Sequence, residues 1–308
     1  MEVVPKNESQ AFVEMPLEQL IARANETRKK HIGTKLDLCN ILNARGGLCG
    51  EDCKFCAQSS KHNTGVPAYP LKSKEEMLQA ARNAQKIGAE RFDIVTSGNR
   101  PSSRELAVIA EAISQITKEI GIATCASLGA LTIDELKMLK DAGLVRFHHN
   151  IETSRRFYPQ IVSTHTFDER IKTIKAAKQV GLQVCSGGII GMGESWQDRI
   201  AMAYTLKELD VDSVPINVLI PIKGTPLESV KPISAKDVIR TICIFRIILE
   251  NKTVKIAAGR EATLKDKQLE AFAAGANGML IGGYLTVKGA NLEDDYALIL
   301  EIEKLWTQ

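Results

Sequence analysis

Three cysteines stand close together in the run Cys49-Gly-Glu-Asp-Cys53-Lys-Phe-Cys56, spaced Cys-x3-Cys-x2-Cys. A tetrahedral structural zinc site takes four protein ligands, usually from two Cys-x2-Cys knuckles or from histidines at set spacings, and no second knuckle exists in this chain. A 4Fe-4S cube takes one thiolate per iron. Three cysteines on a short loop therefore hold three corners and leave the last iron open to a substrate or cofactor. Zinc, or a loose set of thiols, is the alternative that spacing alone leaves open.

The elements that must position this loop alternate regularly. Short apolar or β-branched runs occur at 36–42, 91–97, 122–128, 144–151, 183–190, 213–220, 254–258 and 278–282. Between most of them lie helical stretches that open with Ser or Thr and an acid three residues on: Ser73/Glu76, Ser102/Glu105, Thr132/Glu135, Thr166/Glu169, Ser195/Asp198, Ser234/Asp237 and Thr263/Asp266. Several run out at a glycine, as at Gly88, Gly143, Gly181 and Gly275, where a left-handed residue closes a helix. Eight strands each followed by a helix predict a single-domain (β/α)8 TIM-type barrel, with a doubly wound open sheet as the other architecture of this pattern. The expected division is an N-terminal helical extension over 1–34, the barrel over 35–290 and a C-terminal helix over 291–308. Barrel active sites form at the carboxyl ends of the strands, and the cysteine loop follows directly on the first strand.

Composition narrows the class. The chain has 308 residues, 44% hydrophobic and 25% charged, with 40 basic against 37 acidic side chains and no charge block. Nucleic acid is not an expected partner. Met1 to Gln10 has no apolar run of signal-peptide length, and no segment approaches the ~20 apolar residues of a membrane span. A soluble cytoplasmic protein is expected, without a membrane partner. Seven cysteines, an odd number, fit reduced thiols and metal better than disulfides.

The sequence resembles the radical S-adenosylmethionine enzymes and, within them, the biotin synthase family, from about Leu36 to Ala290. The resemblance rests on Cys49-Gly-Glu-Asp-Cys53-Lys-Phe-Cys56-Ala-Gln-Ser-Ser60, His149-Asn150-Ile151-Glu152-Thr153-Ser154, the run from Val184 to Glu194, Ser213-Val214-Pro215-Ile216-Asn217, Gly224-Thr225-Pro226-Leu227, Ala258-Gly259-Arg260-Glu261 and Ala274-Gly275-Ala276-Asn277. It implies that S-adenosylmethionine chelates the open iron and that one electron releases a 5′-deoxyadenosyl radical, which takes hydrogen from unactivated carbon. The protein's share is binding, orientation and exclusion of water. The implied reaction inserts sulfur from an auxiliary iron-sulfur cluster into dethiobiotin, with a flavodoxin or ferredoxin as electron donor and a homodimeric assembly.

Individual residues follow from the resemblance. Phe55 matches the aromatic position beside the adenine, with loop packing as its plain reading. Gly187 and Gly188 end the fifth strand, where glycine lets backbone approach a ligand, although a bulge would look the same. Asn150 and Asn217 match amides placed on the ureido ring; an amide both donates and accepts, as a urea requires. Glu152 stands where the family usually has an aspartate on the ribose of S-adenosylmethionine, and His148 stands where an asparagine is common. His148 is open to substrate contact, iron binding or packing. His149 is expected in the core, and His31, His62 and His165 on the surface. Met192 and Cys243 are read as packing residues.

The auxiliary cluster is implied to sit on three strand cysteines and one arginine. Cys125, Cys185 and Arg260 match; at the remaining cysteine position this chain has Asp93 in Arg91-Phe92-Asp93. Either Asp93 is an oxygen ligand, which suits iron poorly beside thiolate, or the set has moved. Cys39 on the first strand offers the second route, since neighbouring strands lie ~4.8 Å apart. The expected set is then Cys39, Cys125, Cys185 and Arg260, with an inert buried Cys39 as the other reading. Two further functions stay open: a related mutase-like radical enzyme on another substrate without sulfur donation, which Asp93 favours, and a non-catalytic iron-sulfur scaffold.

Overall fold

The computed structural model describes residues 6–283 and 291–307. The expected boundary at residue 290, the first five residues and Gln308 lie outside the described residues.

Nine parallel strand segments form the sheet: β1 (Asp37–Arg45), β2 (Arg91–Thr96), β3 (Ala123–Ser127), β4 (Arg146–His148), β5 (Gln183–Cys185), β6 (Gly188–Ile190), β7 (Ser213–Val218), β8 (Thr253–Ile256) and β9 (Gly278–Leu280). Their order, β5-β4-β3-β2-β1-β9-β8-β7-β6, is closed by a β5–β7 pairing at Cys185 and Ser213. The single fifth strand expected over 183–190 is split at Ser186-Gly187: β5 holds β4, while β6 holds β7. Counted once, it gives the eight strands of a (β/α)8 barrel, and the open-sheet alternative is excluded by the closure.

Helices cover the outside. Capping boxes begin Lys74–Lys86, Ser103–Glu119, Ile133–Asp141, Phe167–Gln179 and Trp196–Glu208, and the Ser234 hydroxyl accepts from the Asp237 N–H at the head of Ala235–Leu249. Each such cap is worth about 1 kcal/mol. Thr263 does not cap. It lies inside the short helix Arg260–Leu264, its N–H already bonded to Gly259 O at 3.1 Å. The helices turn Leu, Ile and Ala onto the sheet, and Cys243 on Ala235–Leu249 is fully buried with them. The N-terminal helix Leu17–His31 packs on Ala235–Leu249. Trp306 of the C-terminal helix Leu292–Thr307 stacks its ring under the Arg28 guanidinium.

A barrel cavity with thiols at two levels

The loop after β1 carries Cys49, Cys53 and Cys56, and its own backbone folds it. Cys49 N–H donates to Gln58 O at 3.0 Å, Ser60 N–H to Cys49 O at 2.8 Å and Cys56 N–H to Cys53 O at 2.9 Å. Asp52 pins the loop to a distant turn by accepting from Ser163 and Thr164 N–H groups at 2.9 and 3.2 Å. All three cysteines, with Phe55, line a cavity of about 400 Å³. Burial pushes the Cys56 thiol up to about 11 and the Cys53 thiol higher still, so a bound cation is needed to hold them as thiolates. Among the described residues no group of three His, Cys, Asp or Glu side chains is gathered to hold one metal ion.

The second level lies inside the barrel. Cys39, Cys125, Cys185 and Lys255 come from the first, third, fifth and seventh barrel strands, the alternation that puts four side chains into one interior layer. All four are buried. A hydrogen bond with Cys125, helped by nearby Lys255, holds the Cys39 thiol below its ordinary value against the opposing effect of burial; the same bond pushes Cys125 up. Cys39, Cys185 and Lys255 border the cavity, whereas Cys125 reaches them through its bond with Cys39. Lys255 pairs with Asp37 Oδ1 at 2.8 Å.

Arg260 is not in this layer. The chain turns at Gly259 (φ +85°), where a Cβ would meet Val218 O at 2.2 Å, and a helix starts. The Arg260 guanidinium pairs with Asp295 of the C-terminal helix and donates to Gln268 Oε1 at 2.8 Å. Lys255 takes the interior place that the sequence reading assigned to Arg260. Strand alternation in Thr253-Val-Lys-Ile256 held the signal: Val254 and Ile256 flank one inward-facing lysine.

Between the two levels the walls are polar. Glu152, with φ +66°, has its backbone in the left-handed region, and its carboxylate borders the cavity 3.8 Å from the Arg170 guanidinium. Asn150 Oδ1 accepts from Gly187 N–H at 3.0 Å, and Asn217 spans two strands, donating to Gly188 O and accepting from Ala258 N–H, both at 3.2 Å. Gly187 and Gly188 do not border the cavity. A Cβ there would meet Pro215 O at 2.0 Å or Glu152 O at 2.2 Å, so their bareness lets neighbouring backbone approach closely.

His148 meets Asp93 Oδ2 through Nδ1 at 3.2 Å and Asn150 Oδ1 through Nε2 at 3.0 Å. Burial opposes its charge, but Cys185, Asp93 and these bonds raise the imidazole to about 10. His149 is buried and stacked beside Phe147, as expected, though it also borders the cavity. His165 corrects the surface assignment. It is buried, 2.7 Å from Glu51 Oε2 and 2.8 Å from Arg170 Nη2, and it links the cysteine loop to the Glu152 wall. Contacts between a loop at residue 51 and one at residue 165 leave no trace in local sequence.

A family model described as the Radical SAM superfamily matches residues 45–206, and one described as the Biotin and Thiamin Synthesis associated domain matches 215–303. Biotin synthase of Thermotoga neapolitana is 55% identical over 273 residues, covering 88% of this chain and 98% of that protein. The chain belongs to the biotin synthase family. Biotin synthases of Thermotoga petrophila, 52% identical across 96% of this chain and 97% of the relative, and of Clostridium botulinum, 43% across 98% and 94%, agree. Family membership brings a 4Fe-4S cluster, S-adenosylmethionine and an auxiliary cluster. Methylornithine synthase has the same fold, with a TM-score of 0.83 at 19% identity, covering 97% of this chain and 92% of that one. The FeFe-hydrogenase maturase HydG from Carboxydothermus hydrogenoformans also has it, with a TM-score of 0.81 at 19% identity over 95% and 73%. The two matched segments share one barrel, since β6 of the first pairs with β7 of the second through Gly188–Ile216, Ile189–Asn217 and Ile190–Val218.

Proposed function

We propose that this chain converts dethiobiotin to biotin by radical sulfur insertion and that its two thiol levels divide the labour. The observation that carries the reading is one cavity bordered by Cys49, Cys53 and Cys56 at its loop end, by Cys39, Cys185 and Lys255 at the barrel layer, and by Asn150 and Asn217. When bound, the loop cluster with S-adenosylmethionine supplies a carbon-centred radical and the auxiliary cluster supplies sulfur.

The chain's own residues bind and orient. Cys49, Cys53 and Cys56 hold the loop cluster, and Phe55 packs beside the adenine. Glu152 accepts from the ribose hydroxyls while Arg170 holds its carboxylate. Asn150 and Asn217 meet the ureido ring. Cys39, Cys125 and Cys185 hold the auxiliary cluster, with Lys255 supplying positive charge against its thiolates. Asp93 borders the same cavity and bonds His148 through Oδ2, but a hard carboxylate suits this iron poorly beside thiolates. The reading extends to a flavodoxin or ferredoxin donor, a homodimer and a cytoplasmic setting. In support of the last, no helix among the described residues is long and apolar enough to cross a membrane.

The test is anaerobic reconstitution, iron and sulfide analysis, and incubation with reductant, S-adenosylmethionine and dethiobiotin. Biotin and deoxyadenosine are the expected products. Deoxyadenosine without biotin would replace this reading by a mutase-like one.

A further inference from the structure

Asp93 and His148, each different from what the family resemblance implies at its position, touch each other. His148 Nδ1 lies 3.2 Å from Asp93 Oδ2, and its Nε2 lies 3.0 Å from Asn150 Oδ1. The same Asn150 oxygen accepts the Gly187 N–H at 3.0 Å, and Asn150 Nδ2 faces Glu152 Oε2 at 3.4 Å. Turning the amide over would set its NH2 against the Gly187 N–H and its oxygen against a carboxylate. The backbone therefore fixes which atom is oxygen, and His148 must donate to it. Asp93, which only accepts when ionised, receives the other ring N–H and fixes the plane of the imidazole.

We propose that Asp93, His148 and Asn150 form a positioning relay that makes Asn150 a donor only. An amide oxygen has two lone pairs, and Gly187 and His148 fill both. What Asn150 has left for a ligand is an N–H. On the reading that dethiobiotin is the substrate, on which this proposal rests, Asn150 recognises the ureido carbonyl oxygen and not a ureido N–H. A buried site built to donate to that oxygen rejects a ligand that presents a donor there, because two donors then face each other without an acceptor. Asp93 and His148 are positioning residues, acting on the substrate through Asn150.

The relay is tested by equilibrium binding under anaerobic conditions, with the reconstituted full chain and S-adenosylmethionine. Two ligands are compared: dethiobiotin, and its cyclic guanidine analogue, in which the carbonyl oxygen is replaced by a protonated imino group that donates. The wild-type protein should prefer dethiobiotin by at least about tenfold, the size of one well-made hydrogen bond. His148→Leu frees the Asn150 oxygen and should bring the preference close to one. His148→Gln, which keeps a donor on the side chain, should restore most of it, and Asp93→Ala should shift it in the same direction as His148→Leu. Asn150→Asp, which leaves Asp93 and His148 in place, should reverse the preference. Iron and sulfide counts on each variant separate loss of the auxiliary cluster from loss of the relay.

Equal weakening of both ligands, with the preference unchanged, would show His148 to be structural and would overturn the relay while leaving the substrate reading intact. So would an Asn150→Asp protein that still prefers dethiobiotin. No binding of dethiobiotin by the wild-type protein would overturn the substrate reading, and the relay with it.

Discussion

Lys255 Nζ lies 2.8 Å from Asp37 Oδ1, with both side chains buried inside the barrel. Arg91 and Arg146 approach the other carboxylate oxygen at 3.2 and 3.7 Å. Burial would raise the Asp37 carboxyl, but the three cations hold it far below the usual carboxylate range. Three cations around one carboxylate leave surplus positive charge beside Cys39 and Cys185. That charge offsets the desolvation of thiolates in the interior layer that Lys255 shares with them.

Lys255→Met should accordingly lower auxiliary iron and sulfide while the loop cluster is retained. Arg260→Met should do the reverse: keep both clusters and lower Tm, because removing one partner of the buried pair with Asp295 costs about 3–5 kcal/mol. Iron and sulfide analysis with thermal unfolding separates the two. Auxiliary iron lost from Arg260→Met and kept by Lys255→Met would return the ligand role to Arg260.

Cys39→Ala is expected to deplete the auxiliary cluster as Lys255→Met does, and to abolish biotin formation while deoxyadenosine is still made. Cys243→Ala, in the outer helix, should change neither count. Unchanged auxiliary iron in Cys39→Ala would sink the proposed ligand set and leave Cys39 a buried thiol beside Cys125.

Gly188→Ala tests the link from backbone to cofactor. Its Cβ would lie 2.2 Å from Glu152 O and 2.6 Å from Met202 Sδ, and Glu152 already holds a left-handed backbone. Overpacking of this kind costs about 1–3 kcal/mol. Moving Glu152 should weaken S-adenosylmethionine binding as well. A stable variant with unaltered affinity would remove Glu152 from the ribose site.

The Asp198 carboxylate accepts from Ser154 Oγ and from Ser195 Oγ, both at 2.6 Å, and from Arg156, at the head of Trp196–Glu208. Burial pushes its carboxyl up, yet these bonds hold it below the ordinary value. The depressed group stabilises the fold above about pH 4, its unfolded value, and that contribution fades as pH falls through the folded value. Asp198→Asn should therefore cost about 2 kcal/mol at pH 7, with the gap in Tm to wild type narrowing in acid. A gap independent of pH between 7 and 3 would count against the charged hydrogen bonds.

The barrel was legible in the sequence because its signals are local. Alternating apolar runs, caps such as Ser73/Glu76 and terminal glycines such as Gly143 each act within a few residues. The loop of Cys49, Cys53 and Cys56 was legible for the same reason, since three ligands on one short segment need no distant partner to be recognised. Cys39, Cys125 and Cys185 were found through motifs, but their common layer is a property of the closed barrel. Arg260 and Lys255 mark the limit. Both are cations near the end of the same strand, five residues apart, and only the turn at Gly259 decides that one faces Asp295 and the other the cavity. His165 and Glu51, or Asp93 and His148, meet because separate loops and strands converge at one mouth. Sequence determined which chemistry the chain carries, since that depends on residue types at short spacing. Tertiary structure decided which side chains share that chemistry, because inward or outward direction is set by strand register, closure and tight turns that no short segment encodes alone.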